Sequence, residues 1–290
     1  MTNSRLLQTL LLSTTLLGSA CVADLDGTDQ TDPSADGTVV HMMPLHTPDA
    51  KVSNSAPAGA HLTNFGGPIL KNISVHPVWW NSSTQFQSNL NAFYNAVTAS
   101  PLWSMLTQYG IGNGSGVAGI TDTKTTTSVT DSAIHTELNN LFAAGRLPLP
   151  NSNNYYPVHF PSGVSITSPD GSKSCVVFCA YHGTYVRNGV NVNYGVIPDQ
   201  GGGCAGGCGN NASRVNNLDS VSSHELIEAT TDPAVGLATT FAPPLAWYDR
   251  TNGEIGDICN GQQGTTVGRD GVTYVIQLEF SNSANNCVSH

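Results

Sequence analysis

The sequence predicts an α+β fold: one mixed domain with disulfide-stabilised loops. Three observations carry this expectation. Strand-patterned and helix-patterned stretches follow one another without the regular strand–helix beat of a parallel α/β sheet. Six of the seven cysteines fall between residues 175 and 287. Beyond residue 65 no second linker and no internal repeat interrupts the chain, so about 220–230 residues read as one unit.

From the N-terminus, residues 1–21 read as an export signal. Arg5 is a short basic start, "LLQTLLLSTTLL" (6–17) is an apolar run too short to span a bilayer, and "GSAC" leads to Cys21. Cys21 is a candidate lipidation site of the bacterial lipoprotein type, and ordinary cleavage after Ala20 or Ala23 is the alternative. Residues 22–64 carry six aspartates (24, 26, 29, 32, 36 and 49) with four prolines. They read as a disordered acidic tether or pro-segment. The domain is expected over 65–290.

Within it, "GGPILKNISVHPVWWN" (66–81) is β-branched and aromatic and reads as a strand. Residues 84–99 place Phe86, Leu90, Phe93 and Val97 at helical spacing, and Pro101 opens a second short helix to Tyr109. A third helix is expected over 129–145, closed by Gly145. "YYPVHFPSGVSI" and "VNVNYGVIPD" read as strands, 212–231 as a helix and "VTYVIQLEFS" (272–281) as a late strand.

Charged residues make up only 10% of the chain and the net charge is −10. That composition suits an exported, loop-rich protein and argues against nucleic acid or anionic membranes as partners. Cys175, Cys179, Cys204, Cys208, Cys259 and Cys287 form an even set that reads as three disulfides. The two C-x-x-x-C pairs favour local bridges, Cys175–Cys179 and Cys204–Cys208, with Cys259–Cys287 as the third. A zinc knot built from four of these cysteines is the weaker alternative, because an oxidising compartment consumes free thiols.

The chemistry concentrates in "SSHELIEATTDP" (222–233). On a helix His224 and Glu228 lie about 40° apart, one turn along the same face. This is the spacing by which a zincin-like H-E-x-x-H helix presents two metal ligands, with the following glutamate, here Glu225, as general base. Glu228 stands where the second histidine would be, and a carboxylate is an acceptable zinc ligand. Pro233 ends the helix near Thr231 and releases Asp232 to cap or to ligate. "WYDRTNGEIGDIC" (247–259) then offers Asp257 or Glu254 as a third ligand, flanking Gly256. His182, beside Gly183, is a candidate ligand or oxyanion stabiliser; His76 and His159 sit in strand patterns and read as structural.

Taken together, "ISVHPVWWN", "SPLWSMLTQYG", "YYPVHFPSGV", "SCVVFCAYHG", "VSSHELIEATTDP" and "AWYDRTNGEIGDICNG" resemble, over about residues 65–290, the bacterial and fungal secreted proteins related to the plant phosphate-induced, EXORDIUM-like family. The resemblance implies an extracellular, wall-associated setting. It also implies that the fold stands without the His-Glu pair, since many plant relatives lack it, which favours a metal or catalytic role for the pair here. The expected activity is that of a secreted zinc-dependent hydrolase, a metallopeptidase acting on extracellular protein or peptide, with Glu225 and His182 catalytic. The alternative is a non-catalytic module bound to cell-wall glycan, in which the acids hold Ca²⁺ or cap a loop and Trp79-Trp80 and Trp247-Tyr248 meet sugar rings.

Overall fold

The computed structural model describes residues 40–45 and 55–290. The signal expected over 1–21, with Cys21, lies outside the described residues, as do 22–39 and 46–54. The architecture is organised by the strand Phe178–Arg187, rich in aromatic and β-branched residues. Asn188 and Gly189 follow with φ of 51° and 78°, both central positions of a left-handed hairpin turn. The chain returns antiparallel as Val190–Ile197, with Arg187 facing Val190. That strand pairs in parallel with Asn154–His159, which pairs in parallel with two short strands, Ser74–Val75 and Val78–Trp79. Ser115–Gly116 and Ile120–Thr121 complete this edge. On the opposite edge Val40–Pro44 runs antiparallel to Phe178–Arg187. The result is an eight-stranded mixed sheet, and the α+β expectation holds.

Three expectations are corrected here. The acidic segment is not disordered throughout: "VHMMP" (40–44) is a strand in the main sheet, with Val40 and Met43 in the core. Its apolar side chains gain burial that the flanking aspartates do not offer. Residues 55–64 also belong to the fold; Leu62 is fully buried and its amide donates to Asn282 Oδ1 at 2.9 Å. Secondly, 66–81 is not one strand. Pro68 and Pro77 have no amide to give a ladder, and only Ser74–Val75 and Val78–Trp79 pair.

The third correction is the disulfide pairing. The bridges are Cys175–Cys204, Cys179–Cys208 and Cys259–Cys287. Cys179 is the extra residue of a bulge, where Met43 faces Ala180 and Pro44 faces Phe178. Cys204 lies in, and Cys208 just beyond, the short 3-10 segment Gly202–Gly206. The two segments run side by side, so each presents its cysteines to the other. Bridges between segments close loops of 29 residues and constrain the unfolded chain far more than four-residue loops would. The zinc-knot alternative falls with this pairing, since all six thiols are consumed.

Among the described residues four α-helices pack on the sheet: α1 (Gln87–Val97), α2 (Pro101–Met105), α3 (Asp131–Ala143) and α4 (Arg214–Thr231). Ser100 caps α2 and Thr130 caps α3, each accepting a backbone amide at 3.3 Å. Strand alternation divides the core. Tyr156, Val158, Tyr181 and Tyr194 face Ile134, Leu138 and Phe142 of α3; Tyr155, Ala180 and Ile197 face the side occupied by α1 and α4. A hairpin, Gln263–Val267 with Thr273–Gln277, covers α4 from outside. Buried between sheet and hairpin, α4 is enclosed on every side from Asn217 onward, so its small and polar residues face protein rather than water. No helix among the described residues is long and apolar enough to cross a membrane, and three disulfides suit an oxidising compartment.

Candidate metal centre

Three pieces of backbone converge beneath α4. In the edge strand Val40 points to the α3 side, so its neighbour His41 points to the α4 side. Tyr181 and His182 repeat that alternation, and His41 and His182 are direct cross-strand partners. α4 supplies His224, Glu225 and Glu228 from above. The turn after Trp247–Tyr248 supplies Glu254 and Asp257. Gly256 lets this turn touch the helix: a Cβ there would stand 2.6 Å from His224 Nδ1 and 2.8 Å from Glu228 Oε1.

The resulting cluster is almost dry. His41, His182, His224, Glu225, Glu228 and Glu254 are all at most 2% exposed, and Asp257 is 14% exposed. His224 Nε2 lies 3.1 Å from Glu228 Oε2 and 4.0 Å from Asp257 Oδ1. His182 Nδ1 lies 3.3 Å from Glu225 Oε2 and 3.6 Å from Glu228 Oε2, and its Nε2 is 3.7 Å from Glu254 Oε1. His41 Nδ1 lies 2.9 Å from Glu254 Oε2. Three groupings have ligand atoms mutually within 4.8 Å: His224–Glu228–Asp257, His182–Glu228–Glu254 and His41–Glu254–Asp257. His182, His224, Glu225, Glu228, Glu254 and Asp257 are thus brought together, and His41 is the addition.

The electrostatics are unusual. Among the described residues no lysine or arginine pairs with Glu225, Glu228, Glu254 or Asp232. His224 Nε2, Glu225 Oε1 and Glu254 Oε1 make no hydrogen bond. Burial pushes the Glu225 carboxyl well above the usual carboxylate range, and the nearby Glu228, Glu254 and Asp257 add to it, against an opposing pull from His41. Glu254 is raised by burial and then by Glu228. Burial also lifts Asp232 to about 8, despite the Ala246 amide that donates to its Oδ1 at 2.9 Å. Asp232 therefore pins the chain before Trp247 and does not join the ligand groupings. Behind the cluster Glu279 is fully buried and raised by burial. Buried acids without cations are costly to ionise, and a divalent cation among them would reverse that penalty.

Secondary contacts hold the first residues in place. Glu228 Oε1 accepts the Asp257 amide at 3.0 Å, and Asp257 Oδ2 accepts the Glu254 amide at 3.1 Å. Gln277, from the covering hairpin, donates to Gly256 O at 2.8 Å and places its amide nitrogen 2.7 Å from His224 Nδ1. As placed, the Gln277 amide donates toward Nδ1, which puts the ring proton on Nε2; ligation through Nε2 needs that proton on Nδ1, with Gln277 turning its oxygen to the ring and giving up its donation to Gly256 O. A cavity of about 210 Å³ opens beside His41 and Tyr248, lined also by Val235, Thr239, Phe241 and Leu245.

His159, His76, Trp79, Trp80 and Trp247 make structural contacts. His159 Nε2 meets Tyr94 OH at 2.9 Å, and His76 Nε2 meets Ser74 Oγ at 2.9 Å. Trp79 and Trp80 are 1% and 3% exposed, packed on His159 and Phe160, and offer no face to a glycan. Trp247 donates to Tyr109 O at 2.9 Å.

No protein-family model, no curated protein and no solved structure matches the chain. The chemistry of the site rests on its own geometry.

Proposed function

We propose that His224, Glu228 and Asp257 hold a zinc ion and that the chain is a secreted zinc-dependent hydrolase of the metallopeptidase type, an exported relative of the EXORDIUM-like proteins. The observation that carries this is the convergence of those three side chains, with Gly256 allowing the approach. Two ligands at about 2.0–2.1 Å on a tetrahedral ion stand roughly 3.3 Å apart, close to the 3.1 Å between His224 Nε2 and Glu228 Oε2. Histidines among the carboxylates favour a transition metal over calcium, which takes oxygen ligands. The helix spacing is zincin-like, with the departure that Glu228 replaces a histidine.

Bound zinc supplies Lewis acidity toward a scissile carbonyl. The chain supplies the rest. Glu225, its proton affinity raised by burial, takes a proton from the attacking water. His182, 3.3 Å from Glu225 Oε2, orients that carboxylate and shares the proton. The open cavity beside His41 and Tyr248 is the approach for substrate. The test is Glu225→Gln assayed on casein and on a mixed peptide library. Hydrolysis should fall by at least 10²-fold with zinc content unchanged; undiminished hydrolysis in the variant rejects the reading.

A further inference from the structure

We infer that the cluster is a two-metal site, in which His41 and Glu254 hold a second divalent transition-metal ion beside the first, with Asp257 shared between them. The inference rests on the proposed zinc site and extends it to a residue outside the domain expected from the sequence.

Four features support it. The ligand atoms of His41, Glu254 and Asp257 lie within 4.8 Å of one another, as do those of His224, Glu228 and Asp257. The two groupings use different histidines and meet at one carboxylate, and carboxylates have two oxygens with which to bridge ions about 3.5–4 Å apart. Glu254 is fully buried; its Oε2 stands 2.9 Å from His41 Nδ1, and its Oε1 has no hydrogen bond. A fully buried carboxylate oxygen left without a partner is an open ligand position facing the cluster. Lastly, charge counts in its favour. Glu225, Glu228, Glu254 and Asp257 bring four carboxylates to the cluster. Two divalent ions would offset all four in their ionised form, and one would offset only two. Imidazole with carboxylate selects zinc, or manganese, iron or cobalt, over magnesium.

The backbone explains why the second ion would need the N-terminal strand. His41 reaches the cluster only because Val40–Pro44 pairs with Phe178–Arg187 in the register that sets it opposite His182. A shift of one residue would turn His41 to the α3 face.

The experiment is elemental analysis of the disulfide-bonded full chain after saturation with zinc and removal of excess, for wild type, His41→Ala and Glu254→Gln, with thermal melts to confirm folding. Two ions per chain in the wild type, falling to one in each variant, is the expected result. One ion in the wild type overturns the second site and leaves the first standing. Two ions that survive both substitutions also overturn it, since the second ion then lies elsewhere. No ion in the wild type rejects both sites together. Should His41→Ala fail to fold, Glu254→Gln, which keeps nearly the same volume, decides alone.

Discussion

Replacing Gly256 by alanine tests how tightly the Glu254–Asp257 turn must approach α4. The new methyl would stand 2.6 Å from His224 Nδ1, 2.8 Å from Glu228 Oε1 and 2.9 Å from His224 Cε1. Ordinary contact begins near 3.4 Å, so turn and helix must separate by roughly 0.5–0.8 Å. Gly256 has a φ of −80°, which alanine adopts freely, so any effect comes from the methyl and not from backbone strain. Metal ligands tolerate displacements of about 0.5 Å. Zinc affinity should therefore fall at least about 10-fold, or roughly 1.4 kcal/mol, and overpacking should cost the metal-free fold about 1–3 kcal/mol. Competition against a chromophoric chelator reads the first quantity, and melting in excess chelator reads the second. Gly206→Ala is the control, because a Cβ there meets nothing within 4 Å. Wild-type zinc affinity in Gly256→Ala would refute the contact on which the site depends.

Gln277→Leu removes the amide beside His224 Nδ1 and should weaken zinc binding about 10–100-fold in the same competition assay. Chelation of the wild type should lower the melting temperature, since an ion bound only by the native state stabilises it by mass action; an unchanged melt would count against a bound ion. The fully buried His159, whose pKa burial lowers from 6.5 to about 3, makes a pH prediction. Its folded value lies below its unfolded one, so the unfolded chain takes up the extra proton. The neutral ring's contribution is complete above about pH 6.5 and is lost toward pH 3 at up to about 1.4 kcal/mol per pH unit. Urea unfolding of His159→Gln should show a shallower acid slope than the wild type. Removing the Cys259–Cys287 bridge by paired serine substitution should cost about 2–4 kcal/mol and loosen the turn that carries Asp257, read as lower stability and lower zinc affinity.

What the sequence made legible follows the physics of each element. α4 and its ligands were readable because a helix fixes the angle between residues four apart, and Asp257 and Glu254 because Gly256 between them marks a close approach. The helices α1 and α3 emerge within three residues of their expected limits, since each carries an apolar stripe. The strand Phe178–Arg187 was not read, although Asn188-Gly189 is a hairpin signal that pairs it with Val190–Ile197. The C-x-x-x-C spacing of Cys175 and Cys179 points to a local loop instead. Disulfide partners depend on which segments lie side by side, and spacing alone does not determine that. His41 was hidden by composition: a short apolar run, "VVHMMP", sits among aspartates that made the whole segment read as tether. The stretch 66–81 erred the other way, because β-branched composition without regard to Pro68 and Pro77 overstates a strand.

Anomalous diffraction at the zinc edge, from crystals of the full disulfide-bonded chain grown with zinc, is the most direct measurement of the central claim. The account predicts a peak about 2.0–2.2 Å from His224 Nε2 and from oxygens of Glu228 and Asp257, with Gln277 turned to accept the His224 Nδ1 proton. A zinc-soaked crystal with those side chains ordered and no peak among them would contradict it.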